Sequence, residues 1–251
     1  MQSPADLLST PLRTFLSRVL SQNSATLHRM SRRTRTCAVA LATTCALALP
    51  ACGWRELRAQ VTEPLPPTLP EAQIDWQRSV AVGSPAGGRL VRGVRLPAEG
   101  VHFFTWDSVK RRSPNRDWRR WGTDKLVRLV LRIAREFSKD HPYAPRMSVG
   151  DLSRPRGGNF GPQFGYLGHA SHQNGLDVDI YYPRADGRER APRYASEIDR
   201  RLSQDLVDRF VEAGAVKVFV GPNTRLTGPP NVVIPLIHHD NHLHVRIPPR
   251  R

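Results

Sequence analysis

Six of the nine histidines in this chain fall in two short stretches, His169-Ala-Ser-His172-Gln-Asn-Gly-Leu-Asp177-Val-Asp179 and His238-His239-Asp240-Asn241-His242-Leu243-His244. The first sets His172 and Asp179 in an H-x6-D spacing, and the second ends in H-x-H. Imidazole and carboxylate together form the ligand set of a hydrolytic zinc, which takes three protein ligands and keeps a fourth position for water. Either pattern alone is weak, since an H-x-H on a strand is more often surface or core and an H-x6-D pair is close to chance. Together, beside glycine-rich loops, they point to a metal site.

The strands that would carry these residues can be read from alternation. Leu176-Asp177-Val178-Asp179-Ile180-Tyr181 predicts a half-buried strand with Asp177 and Asp179 on one face. Leu243 to Ile247 predicts the last strand, with His242 and His244 pointing the same way. If the two strands are neighbours, Asp179 and His244 meet over one face of the sheet. His172 then arrives from the preceding loop, where Gly175 lets the backbone turn sharply. On that geometry His172, Asp179 and His244 are the candidate ligands of Zn2+, with a coordination position left open. His242, on the same face as His244, is the best-placed general base. His169 or His239 could stabilise a developing oxyanion, and Asp177 could orient a ligand imidazole. His238 is expected to pack or face solvent and Asp240 to serve a turn, while His28, His102 and His141 receive no role.

Other segments supply the frame. A strand around 79–85 and a second around 87–94 suggest a hairpin, and residues 107–120, dense in Arg, Lys, Asp, Ser and Pro, read as surface loop. Thr123 can cap a helix over about 124–138, whose Leu126, Val127, Leu129, Val130, Ile133, Ala134 and Phe137 recur with helical period. A strand near 147–149, a Gly- and Pro-rich loop over 150–168, a helix over about 196–213 ending at Gly214, and a strand at 216–220 follow. Helices mixed with non-adjacent short strands predict an α+β domain: a small antiparallel sheet carrying the zinc site, flanked by helices and long loops.

The ends and the charge bound the rest. Met30-Ser31-Arg32-Arg33-Thr34-Arg35 precedes an apolar stretch from Cys37 to Leu49, the layout of a secretory signal peptide starting at Met30. Residues 1–52 are thus expected to be an upstream extension and export signal, 53–75 a Pro-rich tether and 76–251 the domain. Leu49-Pro50-Ala51-Cys52 is similar to a bacterial lipobox, so Cys52 is a candidate membrane tether, and the expected location is the periplasm. No cysteine follows Cys52, which excludes disulfides and thiolate metal sites from the domain. Of the net charge of +16, residues 1–52 hold +5 and the remainder +11. A basic surface attracts polyanions, and for an exported protein these are wall polymers and anionic lipids rather than nucleic acid.

The segments Gly150-Asp151-Leu152-Ser153, Gly157-Gly158, the run Gly168 to Ile180 and the closing His239-x-x-His242-x-His244-Val245-Arg246 resemble the penicillin-insensitive murein endopeptidases. Val82-Gly83-Ser84-Pro85 and Gly88-x-Leu90 fit that family's opening segment. The resemblance implies zinc on His172, Asp179 and His244, a general base at His242, and assisting histidines at His169 and His239. It implies peptidoglycan as partner and hydrolysis of the D-alanyl–meso-diaminopimelyl cross-link. A D-Ala-D-Ala carboxypeptidase or dipeptidase of the same fold is the near alternative. Relatives of that type place a glutamate ahead of the last histidine, and residues 238–244 contain none. A non-catalytic wall-binding module retaining zinc is the other alternative.

Overall fold

In chain order the strands are β1 (Val80–Ser84), β2 (Gly87–Val91), β3 (Val94–Arg95), β4 (Glu99–Gly100), β5 (Phe103–Thr105) and β6 (Trp121–Gly122). Helix α1 (Asp124–Asp140), β7 (Met147–Val149), β8 (Asp177–Tyr181), helix α2 (Arg200–Glu212), β9 (Lys217–Val220), β10 (Val233–Pro235) and β11 (His242–Arg246) complete the series. This computed structural model describes residues 73–165 and 168–250. The expected start at Met30, the export signal, Cys52 and all but the last residues of the tether lie outside the described residues. Among those described, no helix is long and apolar enough to cross a membrane.

Both helices form where apolar period and caps coincide. The Thr123 hydroxyl accepts the Leu126 N–H at 3.2 Å, satisfying one of the open donors of the first turn of α1. The inward side of α1 then buries Leu126, Val127, Val130, Ile133 and Phe137. Helix α2 starts later than its periodicity predicts. Asp199 caps it through the Leu202 N–H at 3.0 Å, and residues 195–197 form a separate 3-10 turn instead of a first helical turn.

The sheet differs from the expected small antiparallel one. Among the described residues it has seven strands in the order β10-β9-β11-β8-β7-β5-β4, and β10/β9 and β5/β7 pair in parallel. The centre, β9-β11-β8-β7, is antiparallel throughout. Its outer strands are two or three residues long, too short for an alternation of period two to mark them. Both helices cover one face, where their apolar sides share a core with Val178, Ile180, Leu243 and Val245. Alternation therefore turns Asp177, Asp179, His242 and His244 to the other face.

The register sets the site. His244 lies directly opposite Asp179, and Arg246 opposite Asp177. Two glycines permit the close approaches around it. At Gly150 an added Cβ would meet Tyr181 Cε2 at 2.9 Å and Asp179 Cβ at 3.0 Å. Gly175 takes φ +77° to turn the chain into β8, as its position before the strand predicts. Strand β8 is buried along its whole length rather than half-buried. Its polar face is roofed by the loop that carries His169 and His172.

Candidate metal centre

His172 is fully buried and sits at φ +65°, a left-handed conformation that is costly for a residue with a Cβ. Its backbone N–H donates to Asp177 Oδ2 at 2.9 Å, and its Nδ1 donates to the Leu152 carbonyl at 2.5 Å. A ring that donates through Nδ1 presents Nε2 as a lone pair, the tautomer that a metal ligand requires. Burial pushes the His172 imidazole below its ordinary pKa, so it stays neutral.

That lone pair faces another acceptor. His172 Nε2 is 3.2 Å from Asp179 Oδ1, His244 Nδ1 is 3.2 Å from the same oxygen, and the two nitrogens are 3.2 Å apart. Asp179 Oδ1 is buried and makes no hydrogen bond among the described residues. Ligand atoms at tetrahedral angles around a zinc stand roughly 3.3 Å apart. The triangle therefore fits a tetrahedral cation, which would resolve an otherwise unfavourable meeting of lone pairs.

The electrostatics agree. Burial alone would lower the His244 pKa, but the flanking carboxylates of Asp177 and Asp179 outweigh it and lift the group to about 9. A proton held there is positive charge drawn into the position a cation would take. His244 Nε2 faces Asp177 Oδ1 at 3.5 Å from behind, and Arg246 Nε holds that oxygen at 2.7 Å. Asp177 thus lies where it can orient the His244 ring. Burial of Asp179 would raise its pKa, yet the surrounding imidazoles hold it well below the carboxylate range.

A wider grouping overlaps this one. His169, His172 and Asp179 place ligand atoms within 4.8 Å of one another and could also hold a metal ion. His169 Nδ1 is 3.8 Å from Asp179 Oδ2, while its Nε2 is bonded to Asp151 Oδ2 at 2.8 Å. Burial would lower the His169 pKa, but the bond to Asp151 and the charges of Asp179 and Asp151 raise it overall.

His242 lies beside the triangle, with Nε2 3.8 Å from Asp179 Oδ1 and Nδ1 bonded to Asn241 Oδ1 at 2.7 Å. Burial pushes its pKa down to about 3. His239 stands further out. Its Nδ1 meets the Ile237 carbonyl at 2.8 Å, and its ring is 4.8 Å from that of His242. His238 is exposed at φ +66°, and Asp240 accepts from Asn223 in a turn, as expected for both. His169, Asp179, His239, His242 and His244 line a cleft of about 720 Å³.

Sequence reasoning missed the base of His169. Residues 107–120 do not form a purely exposed loop: Asp107, Asn115, Arg119 and Arg120 are buried. Arg119 grips Asp151 with Nε at 2.7 Å and Nη2 at 2.6 Å, and its Nη1 donates to the Phe164 carbonyl at 2.8 Å. Its guanidinium is also 4.9 Å from the ring centres of both Trp118 and Phe160. Asp151, fixed this way, anchors His169. Arg119→Met is expected to destabilise the domain by about 3–5 kcal/mol, because it removes the bidentate guanidinium partner of a buried carboxylate. Urea unfolding measures the loss; a value below about 1 kcal/mol, the scale of a surface pair, would show that Asp151 is hydrated instead.

Comparison with known proteins gives the family. A family model described as penicillin-insensitive murein endopeptidase matches residues 81–226, a stretch holding Asp151, His169, His172 and Asp179 but ending before His239, His242 and His244. The penicillin-insensitive murein endopeptidase of Escherichia coli O157:H7 (strain EC4115 / EHEC) is 30% identical over 129 residues, 51% of this chain and 40% of that relative. The protein of the same name from Escherichia coli O1:K1 / APEC is 33% identical over 101 residues, 40% of this chain and 32% of the relative. The chain thus spans less than half the length of these curated relatives. Because the family match covers more than half of it, the chain belongs to the penicillin-insensitive murein endopeptidase family.

Proposed function

We propose that this protein is a zinc-dependent endopeptidase of peptidoglycan that hydrolyses the D-alanyl–meso-diaminopimelyl cross-link, with His172, Asp179 and His244 as the zinc ligands. The observation that carries the reading is the triangle of three atoms of metal-ligand type, 3.2 Å on each side, at the wall of a cleft large enough for a peptide. Zinc fits this donor set of two imidazoles and a carboxylate, and when bound it supplies a water of lowered pKa and polarises the carbonyl under attack.

The chain's own groups do the rest. His242 donates through Nδ1 to Asn241, so its Nε2 lone pair faces the site and can take a proton from the attacking water and pass it to the leaving amine. His169, kept basic by Asp151, can carry positive charge toward the developing oxyanion. His239, held by the Ile237 carbonyl, is placed to assist from the outer side of His242. Asp177, locked by Arg246, keeps the His244 ring in its ligating orientation. No hydroxyl nucleophile enters this scheme. The substrate implies export to the periplasm, with Cys52 available as a lipid anchor.

The test is to incubate the purified, zinc-loaded protein with a cross-linked dimer muropeptide and, separately, with an uncross-linked pentapeptide. Release of the two monomers from the dimer is expected. Removal of only the terminal D-Ala would make the protein a carboxypeptidase. Binding to sacculi with no peptide released would make it a wall-binding module.

A further inference from the structure

The face of the sheet away from the histidines carries a second concavity, of about 1310 Å³, lined by Lys125, Arg128, Arg132, Arg135, Arg250 and Trp76. Four of these cations sit on α1 at spacings of three, four and three residues, which put them in one stripe along about 15 Å of helix. The stripe flanks the inward row of Leu126, Val130, Ile133 and Phe137, so the helix is apolar toward the sheet and cationic toward the groove.

Little in the fold neutralises it. Arg132 has a loose exposed pair with Glu136 at 3.5 Å, and Arg250 is held by the buried Asp124 at 2.7 Å. The groove's Glu99 is already engaged by Arg146 at 3.2 Å. Lys125 donates to the Pro248 carbonyl, which leaves its charge uncompensated. Arg128 lies over the Trp76 ring at 3.8 Å, and among the described residues neither it nor Arg135 pairs with a carboxylate. Trp76 and Val101 remain partly exposed in the same groove at 38% and 48%. An amphipathic aromatic beside arginines is the pairing that suits the boundary between headgroups and acyl chains.

Gln73 and Ile74, the first described residues, line this groove. We infer that the Lys125–Arg128–Arg132–Arg135 face docks on an anionic phospholipid surface through its headgroup phosphates, leaving the histidine cleft, on the opposite face of the sheet, open to substrate. The inference is independent of the reaction proposed above.

The full-length chain, mixed with vesicles of phosphatidylcholine alone or with added phosphatidylglycerol, reads this out by co-sedimentation. Residues 1–52 carry +5 of their own, so the informative quantity is the phosphatidylglycerol increment that the stripe adds beyond theirs. That increment is expected to shrink with added salt and to fall on the order of tenfold or more in R128E/R132E/R135E. The milder pair R128Q/R135Q should lose part of it. Thermal unfolding of both variants should match the parent, since all three side chains are exposed. An unchanged increment in the triple variant overturns the inference. So does stripe-dependent binding of inorganic polyphosphate without any phosphatidylglycerol increment, which would assign the groove to a soluble polyanion.

Discussion

Replacing His172 with alanine is expected to take the protein from about one bound zinc per chain to a small residual fraction and to abolish hydrolysis. His172 is fully enclosed, and its Nδ1 is committed to the Leu152 carbonyl, so Nε2 can do nothing but accept. With the imidazole gone, Asp179 and His244 would offer two ligands where a catalytic zinc takes three. Alanine also leaves a cavity at a strained φ, so the isosteric Asp179→Asn serves as a second variant that removes charge without volume. Metal analysis and circular dichroism on both separate ligand loss from misfolding. The same measurement decides between the two overlapping groupings. His244→Ala should lose the metal and His169→Ala should keep it. The reverse pattern would move the ion to His169, His172 and Asp179 and leave His244 as a neighbour.

What was legible in advance follows from what alternation and spacing can encode. Val178 and Ile180 alternating with Asp177 and Asp179, and Leu243 and Val245 between His242, His244 and Arg246, carry strand and face together. They predict that Asp179 and His244 can meet if the strands pair, and the register sets the two opposite each other. Thr123 ahead of an apolar period marked α1 for the same local reason. The parallel partners β5 and β10 leave no such trace, because three residues cannot show a period and their pairing depends on distant segments. Arg119 was hidden differently. Its neighbours Arg116, Asp117 and Arg120 make the segment look solvated, and only the fold brings Asp151 and the Phe164 carbonyl to its guanidinium. Trp118 beside it and Phe160 downstream were the available hint, since an arginine between aromatic faces can be buried at little cost when its donors are all used.

His242→Ala is expected to keep the zinc yet slow hydrolysis of the dimer on the order of a hundredfold or more, the share a positioned base contributes. Two features of its surroundings leave its lone pair available. Burial presses its pKa down to about 3, with the nearby histidines pushing the same way and Asp179 opposing, so the ring is neutral at working pH. Asn241 Oδ1 takes its Nδ1 proton, which fixes the lone pair on Nε2 toward the site. At 3.8 Å from Asp179 Oδ1, that nitrogen stands further out than the 3.2 Å edges of the ligand triangle, close enough to reach a water there without completing the metal's shell. The loss should therefore appear in kcat with KM little changed, because the interaction is made in the transition state rather than in the bound substrate. Asn241→Ala, which frees the ring to rotate or change tautomer, should give a smaller deficit of the same kind. If His242→Ala instead sheds the zinc, His242 is a ligand; if it works at the parent rate, the proton passes through another group, and His169, already anchored on Asp151, is the nearest alternative.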